Sequence, residues 1–274
     1  MNVIGGLTTG LEIWNLAVLP YLLGNAECWM EIPKKAINVL NSIQNDFLRS
    51  LFQTGNGTPI SALYWDTGSL MIENQIMQRK LLFLYHLMTL PENSLAKEIY
   101  LIQKENALPG LVNECEQFLS DLNIHADPST FTKGQWKKII RKKIQDRNKQ
   151  LLLQQIREYK KLDYEEIVNE DYGLHDYLKT MTVTQARVYF SVRTQMLPTV
   201  QCNFRNKPEY IANQHKCLCG EEDVQSHLHY CVLYSHCREG LNMAKPADLV
   251  TFFQRVIGER EREEDRRRDR ERER

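Results

Sequence analysis

The chain has 274 residues, 42% of them apolar, which is enough for one large domain or two modest ones with real cores and excludes a disordered polymer. Lys plus Arg and Asp plus Glu both number 35, so the formal net charge is zero and only the distribution of charge can point to a partner. Seven cysteines, an odd number with four of them inside 21 residues beside several histidines, favour reduced thiols and metal ligation over disulfides.

The start lacks a basic region of the kind that opens a secretory signal. The longest apolar stretch, Ile13 to Leu23, is too short to span a bilayer and contains Pro20, so it is expected to be a core helix or strand. No membrane partner is expected, and the location is expected to be intracellular, nuclear or cytoplasmic. After Pro33, the residues Ile37, Leu40, Ile43, Phe47, Leu48, Leu51 and Phe52 recur at helical spacing. Gly55, Asn56 and Gly57 break that pattern, and Pro59 follows. A second helix fits Leu70 to Leu90. Its apolar residues cover more than one face, which predicts a central, buried helix. Further helices fit Leu95 to Glu105 and Leu108 to Leu122. Alternation with period two is almost absent, so few strands are expected.

A loop at His125–Ser129 leads into a long helix over Lys133 to Lys161. Trp136, Ile139, Ile140, Ile144, Leu151, Leu152, Ile156 and Tyr159 form its apolar stripe. From Gln135 to Lys161, ten Lys/Arg face two acids, a net of +8. Lys137, Lys138, Arg141, Lys142, Arg147 and Lys149 are the candidate phosphate contacts, with counterion release as the source of affinity. Arg187, Arg193, Arg205 and Lys207 are candidate extensions of that surface. Trp136, Tyr159 and Tyr189 are candidate base-stacking rings, although an aromatic on an apolar stripe more often belongs to a core. Shorter helices fit Leu174 to Met181 and Thr184 to Leu197, and Pro198 and Pro208 bracket a loop. A last helix fits Pro246 to Ile257 with Gly258 at its end. From Glu259 to Arg274 every residue is charged, eight Arg and eight Asp/Glu, which predicts a disordered or lone-helix tail outside the fold.

The strongest local signal is the run from Cys217 through Cys219, Gly220, His227 and His229 to Cys231. A structural zinc site takes four Cys or His ligands in a tetrahedron. Cys217, Cys219, His227 and Cys231 are the expected set, and His215, His229, His236 and Cys237 are the alternatives. Four protein ligands leave no open position, so the Zn2+ is expected to be structural. Motifs for nucleotide hydrolysis, for a serine nucleophile and for base deamination are all missing. No adjacent Asp-Asp pair occurs, and Asp46, Asp66 and Asp121 stand alone in the sequence, so the clustered carboxylates of two-metal phosphoryl transfer are missing. The chain is therefore not expected to be an enzyme.

The motifs also resemble a family. The stretch from Leu16 through Pro20, Gly24 and Glu27 to Trp29 resembles the segment that follows the palm in non-LTR (LINE-type) retrotransposon reverse transcriptases. Ile43 to Leu51, Thr58-Pro59, Ala62 to Tyr64, Gly68 and Arg79 to Leu81 look like the thumb-side helices of that family. Ala186 to Leu197 and Asn203 to Asn206 resemble the run that leads to its terminal zinc knuckle, and Ser226 to Cys231 matches the second half of the knuckle. The likeness covers about residues 11–240.

It implies a mainly α fold: a thumb-like helical region at 1–124, a basic helix and linker at 125–165, a helical region with the zinc knuckle at 166–258, and the Arg/Glu tail at 259–274. It further implies a non-catalytic C-terminal part of a reverse transcriptase that binds RNA or DNA, alongside the rest of the retrotransposon polymerase machinery. Three departures stand out. The palm with its Asp-Asp turn is missing, the first cysteine pair is one residue short, and the tail has no counterpart. The competing readings are a zinc-stabilised protein-interaction module and a decayed reading frame without selected function.

Overall fold

The computed structural model describes residues 6–55, 57–106, 108–159, 164–197 and 216–272. The expected Pro198–Pro208 loop, Lys160, Lys161, Arg205, Lys207 and His215 lie outside them. Among the described residues the chain is mainly helical, and extended pairing is limited to the isolated bridges Thr67–Leu174 and Lys216–Glu222. No described helix is long and apolar enough to cross a membrane.

Helix α1 (Gly6–Ile13) passes through a π turn (Trp14–Val18) into α2 (Leu19–Leu22). Pro20 has no N–H, and its ring would strike the carbonyl four residues back in a regular α-helix. The wider turn relieves this, with Leu19 N–H donating to Trp14 O. The expected core segment Ile13–Leu23 is therefore helical but only half inside. Trp14 and Leu23 are buried, whereas Leu16 is 80% and Tyr21 91% exposed. A run that is apolar on every side carries no polar face to mark which side turns outward.

Helix α3 (Lys34–Phe52) begins straight after Pro33 and ends where Gln53 takes left-handed backbone, φ 54°. Trp14 of the π turn stacks on its Phe47 at 4.4 Å. Next comes a helix that the periodicity did not predict, α4 (Ile60–Thr67), in which every residue from Ser61 to Thr67 is buried. Gly68 ends it at φ +65°, where a Cβ would come within 3.0 Å of the Gly173 backbone. The last carbonyls of α4 find partners far along the chain. Gly173 N–H donates to Trp65 O (3.2 Å) and His175 N–H to Asp66 O (3.0 Å).

Asp66, which stands alone in the sequence, is not alone in the fold. Its carboxylate accepts from Tyr177 OH at 2.7 Å and lies 3.4 Å from both Arg193 Nη2 and His175 Nδ1. Glu170 lies 3.2 Å from the same two side chains, His175 and Arg193. Burial pushes the Asp66 carboxyl upward, against Arg193, His175 and Tyr177, which favour its charged form. Burial, then the Asp66 charge, pushes the Tyr177 phenol up, so that it remains a donor.

Helix α5 (Ile72–Met88) is central, as its all-round apolar pattern predicts, and packs on α6 (Leu95–Glu105), α7 (Leu111–Asp121) and α8 (Lys133–Glu158). A capping box between Thr132 and Gln135 starts α8. Its buried residues Trp136, Ile140, Ile144, Asn148, Leu152 and Ile156 are spaced by four. Each step of four turns the stripe by about 40° around a 3.6-residue helix. The stripe thus precesses from one core to another. Trp136, Ile140 and Ile144 pack with Leu81, Leu84 and Cys115, while Leu152 and Ile156 pack with Phe52, Trp65 and Phe190. Asn148, at the crossover, accepts from Met71 N–H (3.1 Å) and Asn74 Nδ2 (2.8 Å).

Short helices α9 (Tyr164–Val168) and α10 (Asp176–Thr180) lead to α11 (Val183–Arg193), itself started by a Thr182–Gln185 capping box. A third core joins Val192 of α11 to the C-terminal region: α12 (Gln225–Leu228), α13 (Ser235–Arg238) and α14 (Pro246–Arg272). Gly258 does not end the last helix, which continues to Arg272. The first turn of the charged tail is also tied into the fold. Arg260 forms a two-pronged ion pair with the buried Asp223 and lies 5.5 Å over the Tyr234 ring.

Arg193 and Asp66 are both nearly inaccessible, so removing one partner leaves the other charge buried without it. Arg193→Met should cost about 3–5 kcal/mol of stability in urea unfolding. A cost below about 1 kcal/mol, typical of an exposed pair, would show that the network does not hold the fold together.

Candidate metal centre

The segment that follows residue 215 turns back on itself at once. Cys217 N–H donates to Glu221 O (2.7 Å), Gly220 N–H donates to Cys217 O (2.8 Å), and Lys216 pairs with Glu222. Gly220 sits at φ +97°, a backbone conformation that side chains rarely allow. This turn accommodates the short Cys-x-Cys spacing and sets Cys217 and Cys219 beside the second half of the site. His227 lies on α12, and Cys231 N–H donates to His227 O at 2.9 Å, so the two residues are one helical turn apart.

The four expected ligands converge. One ligand atom each from Cys217, Cys219, His227 and Cys231 lies within 4.8 Å of all the others. Cys217 Sγ and Cys231 Sγ are 3.7 Å apart, and Cys219 Sγ and His227 Nε2 are 3.1 Å apart. Tetrahedral ligands at ~2.0–2.3 Å from a zinc ion stand roughly 3.3–3.8 Å from one another, so modest adjustment closes the shell. The cluster can hold a metal ion, and its donor set leaves no protein position open.

The electrostatics divide the thiols. Burial pushes the Cys217 thiol up to about 12. Cys219 is held below the usual thiol range by the Glu221 backbone N–H. A bound cation removes the proton from a coordinating thiol in any case.

Three of the four alternative ligands have other contacts. His229 lies among the rings of Phe252 (6.1 Å) and Phe253 (5.1 Å), and burial holds its imidazole below the usual range. Cys237 is buried in the third core, where burial pushes its thiol up. His236 is 3.5 Å from Glu259. His215 lies outside the described residues.

Three residues that sequence reasoning passed over brace the cluster. Arg238 Nη2 donates to Cys231 O (2.9 Å), Gln225 Nε2 donates to Val192 O (2.9 Å), and Asp223 holds Arg260. Asp223 lies in the Cys–His spacer and Arg260 in the low-complexity tail, and neither position has a pattern that marks the other.

The six candidate phosphate contacts on α8 divide. Lys137, Lys138, Arg141 and Lys142 are exposed, and among the described residues none has an acidic partner. Arg147 is half-buried. Lys149 is paired with Asp171 at 2.8 Å and lies 5.9 Å over the Trp65 ring. Of the candidate stacking rings Trp136 is buried, while Tyr159 and Tyr189 are half-buried and already engaged within the chain. Trp136 Nε1 donates to Leu81 O, Tyr159 OH donates to Gly57 O, and Tyr189 packs on Tyr177. Arg187 is spent on Leu51 O and Arg193 on the Asp66 network, so neither extends the basic surface.

Comparison of the chain with protein-family models, with curated protein sequences and with solved structures found no match.

A bound metal would make the third core depend on its ligands. Cys231→Ser should raise backbone amide exchange across residues 216–257 more than Cys115→Ser does, although both cysteines are fully buried. Equal responses would mean that Cys231 is only a packed core thiol.

Proposed function

We propose that the chain is a non-catalytic nucleic-acid-binding module, equivalent to the thumb-side and zinc-knuckle region that the sequence resembles in non-LTR reverse transcriptases. The observation that carries this reading is the face of α8. Lys137, Lys138, Arg141 and Lys142 stand exposed there without acidic partners among the described residues. Elsewhere the fold pairs cations readily, as at Lys80–Glu114, Lys149–Asp171 and Arg260–Asp223. Four exposed cations within six residues, with Asp146 as the single acid one turn beyond them, are a source of counterion-release affinity for phosphates.

The proposed metal is Zn2+. Three thiolates and one imidazole are its preferred donors, and a closed set of four is structural. Its contribution is to stabilise the turn and α12 against the third core. The non-catalytic reading follows from the missing Asp-Asp turn. The expected setting is the nucleus or cytoplasm, beside the rest of a retrotransposon polymerase machinery.

One observation favours a second reading, a protein-interaction module: the exposed apolar side chains Ile13, Leu16 and Tyr21 on α1 to α2. Failure of the full chain to bind RNA or DNA at any salt concentration would favour it.

Lys138→Glu with Lys142→Glu should weaken RNA binding and flatten its salt dependence, lowering the slope of log K against log salt by roughly 2. The measurement is a titration of the full chain at several salt concentrations, with zinc content determined on the same preparation. Unchanged affinity and slope would rule out the α8 face as the contact.

A further inference from the structure

At the N-terminal end of the same α8 face there is a cleft of about 180 Å³ between the last turn of α5 and the first turns of α8. Leu82 and Tyr85 line its depth. His86, Thr89, Lys133 and Lys137 line it from exposed positions. No acidic side chain lines it.

Its deep wall is already fixed. Tyr85 OH donates to Phe131 O (2.9 Å), the Tyr85 ring stacks at 6.2 Å on Trp136, and Trp136 Nε1 donates to Leu81 O (3.1 Å). A preformed wall spares a ligand the cost of ordering it. Drug-sized ligands occupy roughly 300–1,000 Å³, so this cleft has room for a single ring system. His86 stands exposed at the lining, and its imidazole is a ring on which a base can stack. Lys133 and Lys137, one helical turn apart, supply charge beside it. Arg141 continues the same ridge, with about 6 Å of rise between successive members. The positive end of the α8 dipole adds to the attraction for phosphate.

We infer that this cleft seats one unpaired base of a single strand whose phosphates run on along Lys137, Arg141 and Lys142. The inference rests on the nucleic-acid reading of α8 and deepens it, because it selects the substrate class. The bases of a duplex are stacked and paired, and cannot enter a cleft of this size. An unpaired base can, gaining apolar contact with Leu82 and Tyr85 and stacking on His86.

The test compares three probes on the full chain: a 12-mer oligouridylate, an abasic sugar–phosphate strand of the same length, and a blunt duplex. The strands are used in ribo and deoxyribo forms. The wild-type chain should bind the base-bearing strand about tenfold more tightly than the abasic one. Thr89→Trp, which fills the mouth from an exposed position, should abolish that preference and leave abasic-strand and duplex binding unchanged. His86→Ala, also at an exposed position, should reduce it. Equal wild-type affinity for base-bearing and abasic strands would overturn the cleft and leave the basic face standing, as would a preference that survives Thr89→Trp. Binding to none of the three probes would remove the cleft together with the reading beneath it.

Discussion

Asp66 sets the condition that the rest of the molecule meets. It lies in the last turn of a helix that is buried from Ser61 to Thr67, so its carboxylate and the last carbonyls of α4 need partners from within the protein. The partners come from residues 170–193, more than a hundred positions later. Satisfying them holds the 170–177 segment and α11 against α4. Arg193 reaches into this network while its neighbour Val192 packs in the third core with Cys217 and Cys231. Gln225 donates to Val192 O, so the Cys/His cluster hangs from the same helix that closes the Asp66 network. Loss of the ion pair is thus expected to be felt beyond α4. A buried charge without its partner is strongly destabilising, whereas the intact pair is close to neutral in net energy.

The long helix α8 performs the second joining. A strictly amphipathic helix serves one core, but a stripe spaced by four serves two, because it precesses. Asn148 sits where the stripe crosses from one to the other. In the sequence it reads as a polar residue on an apolar face. In the fold it accepts from the backbone N–H that opens α5 and from Asn74, so a buried amide does the work of a helix cap.

What the sequence made legible follows from the range of the interactions. Helices α3, α5, α6, α8 and α11 carry a periodic stripe or a local cap, both signals written within a few residues, and they lie close to where the pattern puts them. Helix α4 has neither, since seven consecutive buried residues contain no polar face to define a period. The solvent side of α1 and α2 was unreadable for the same reason. The Cys/His cluster was legible because its ligands sit within fifteen residues and its soft donors have few other reasons to cluster. Packing brings Cys217, Cys219, His227 and Cys231 together and sets His229 among the rings of Phe252 and Phe253 instead, an arrangement no local spacing reveals. The Asp66 network and the Asp223–Arg260 pair were invisible. Each joins residues far apart in sequence, and a charged residue read alone looks the same whether it is solvated or buried with a partner.

The zero net charge is compatible with a nucleic-acid surface because screening makes charge a local property. At physiological salt the Debye length is about 8 Å, roughly the rise of five helical residues. A phosphate against Lys138 and Lys142 therefore responds to the charges within a turn or so and hardly to those farther away. What matters is whether acids stand within that distance on the same face. For Lys149 one does, and Asp171 takes it out of play. For Lys137, Lys138, Arg141 and Lys142 the described residues offer no acid in ion-pair contact, and Asp146, one turn beyond Lys142, is a single charge against four. The Arg/Glu tail shows the opposite case: its eight basic and eight acidic residues are interleaved over short distances, so sixteen charges produce less field than four of one sign. The basic patch on α8 and the neutral tail are both consequences of spacing, and total composition distinguishes neither.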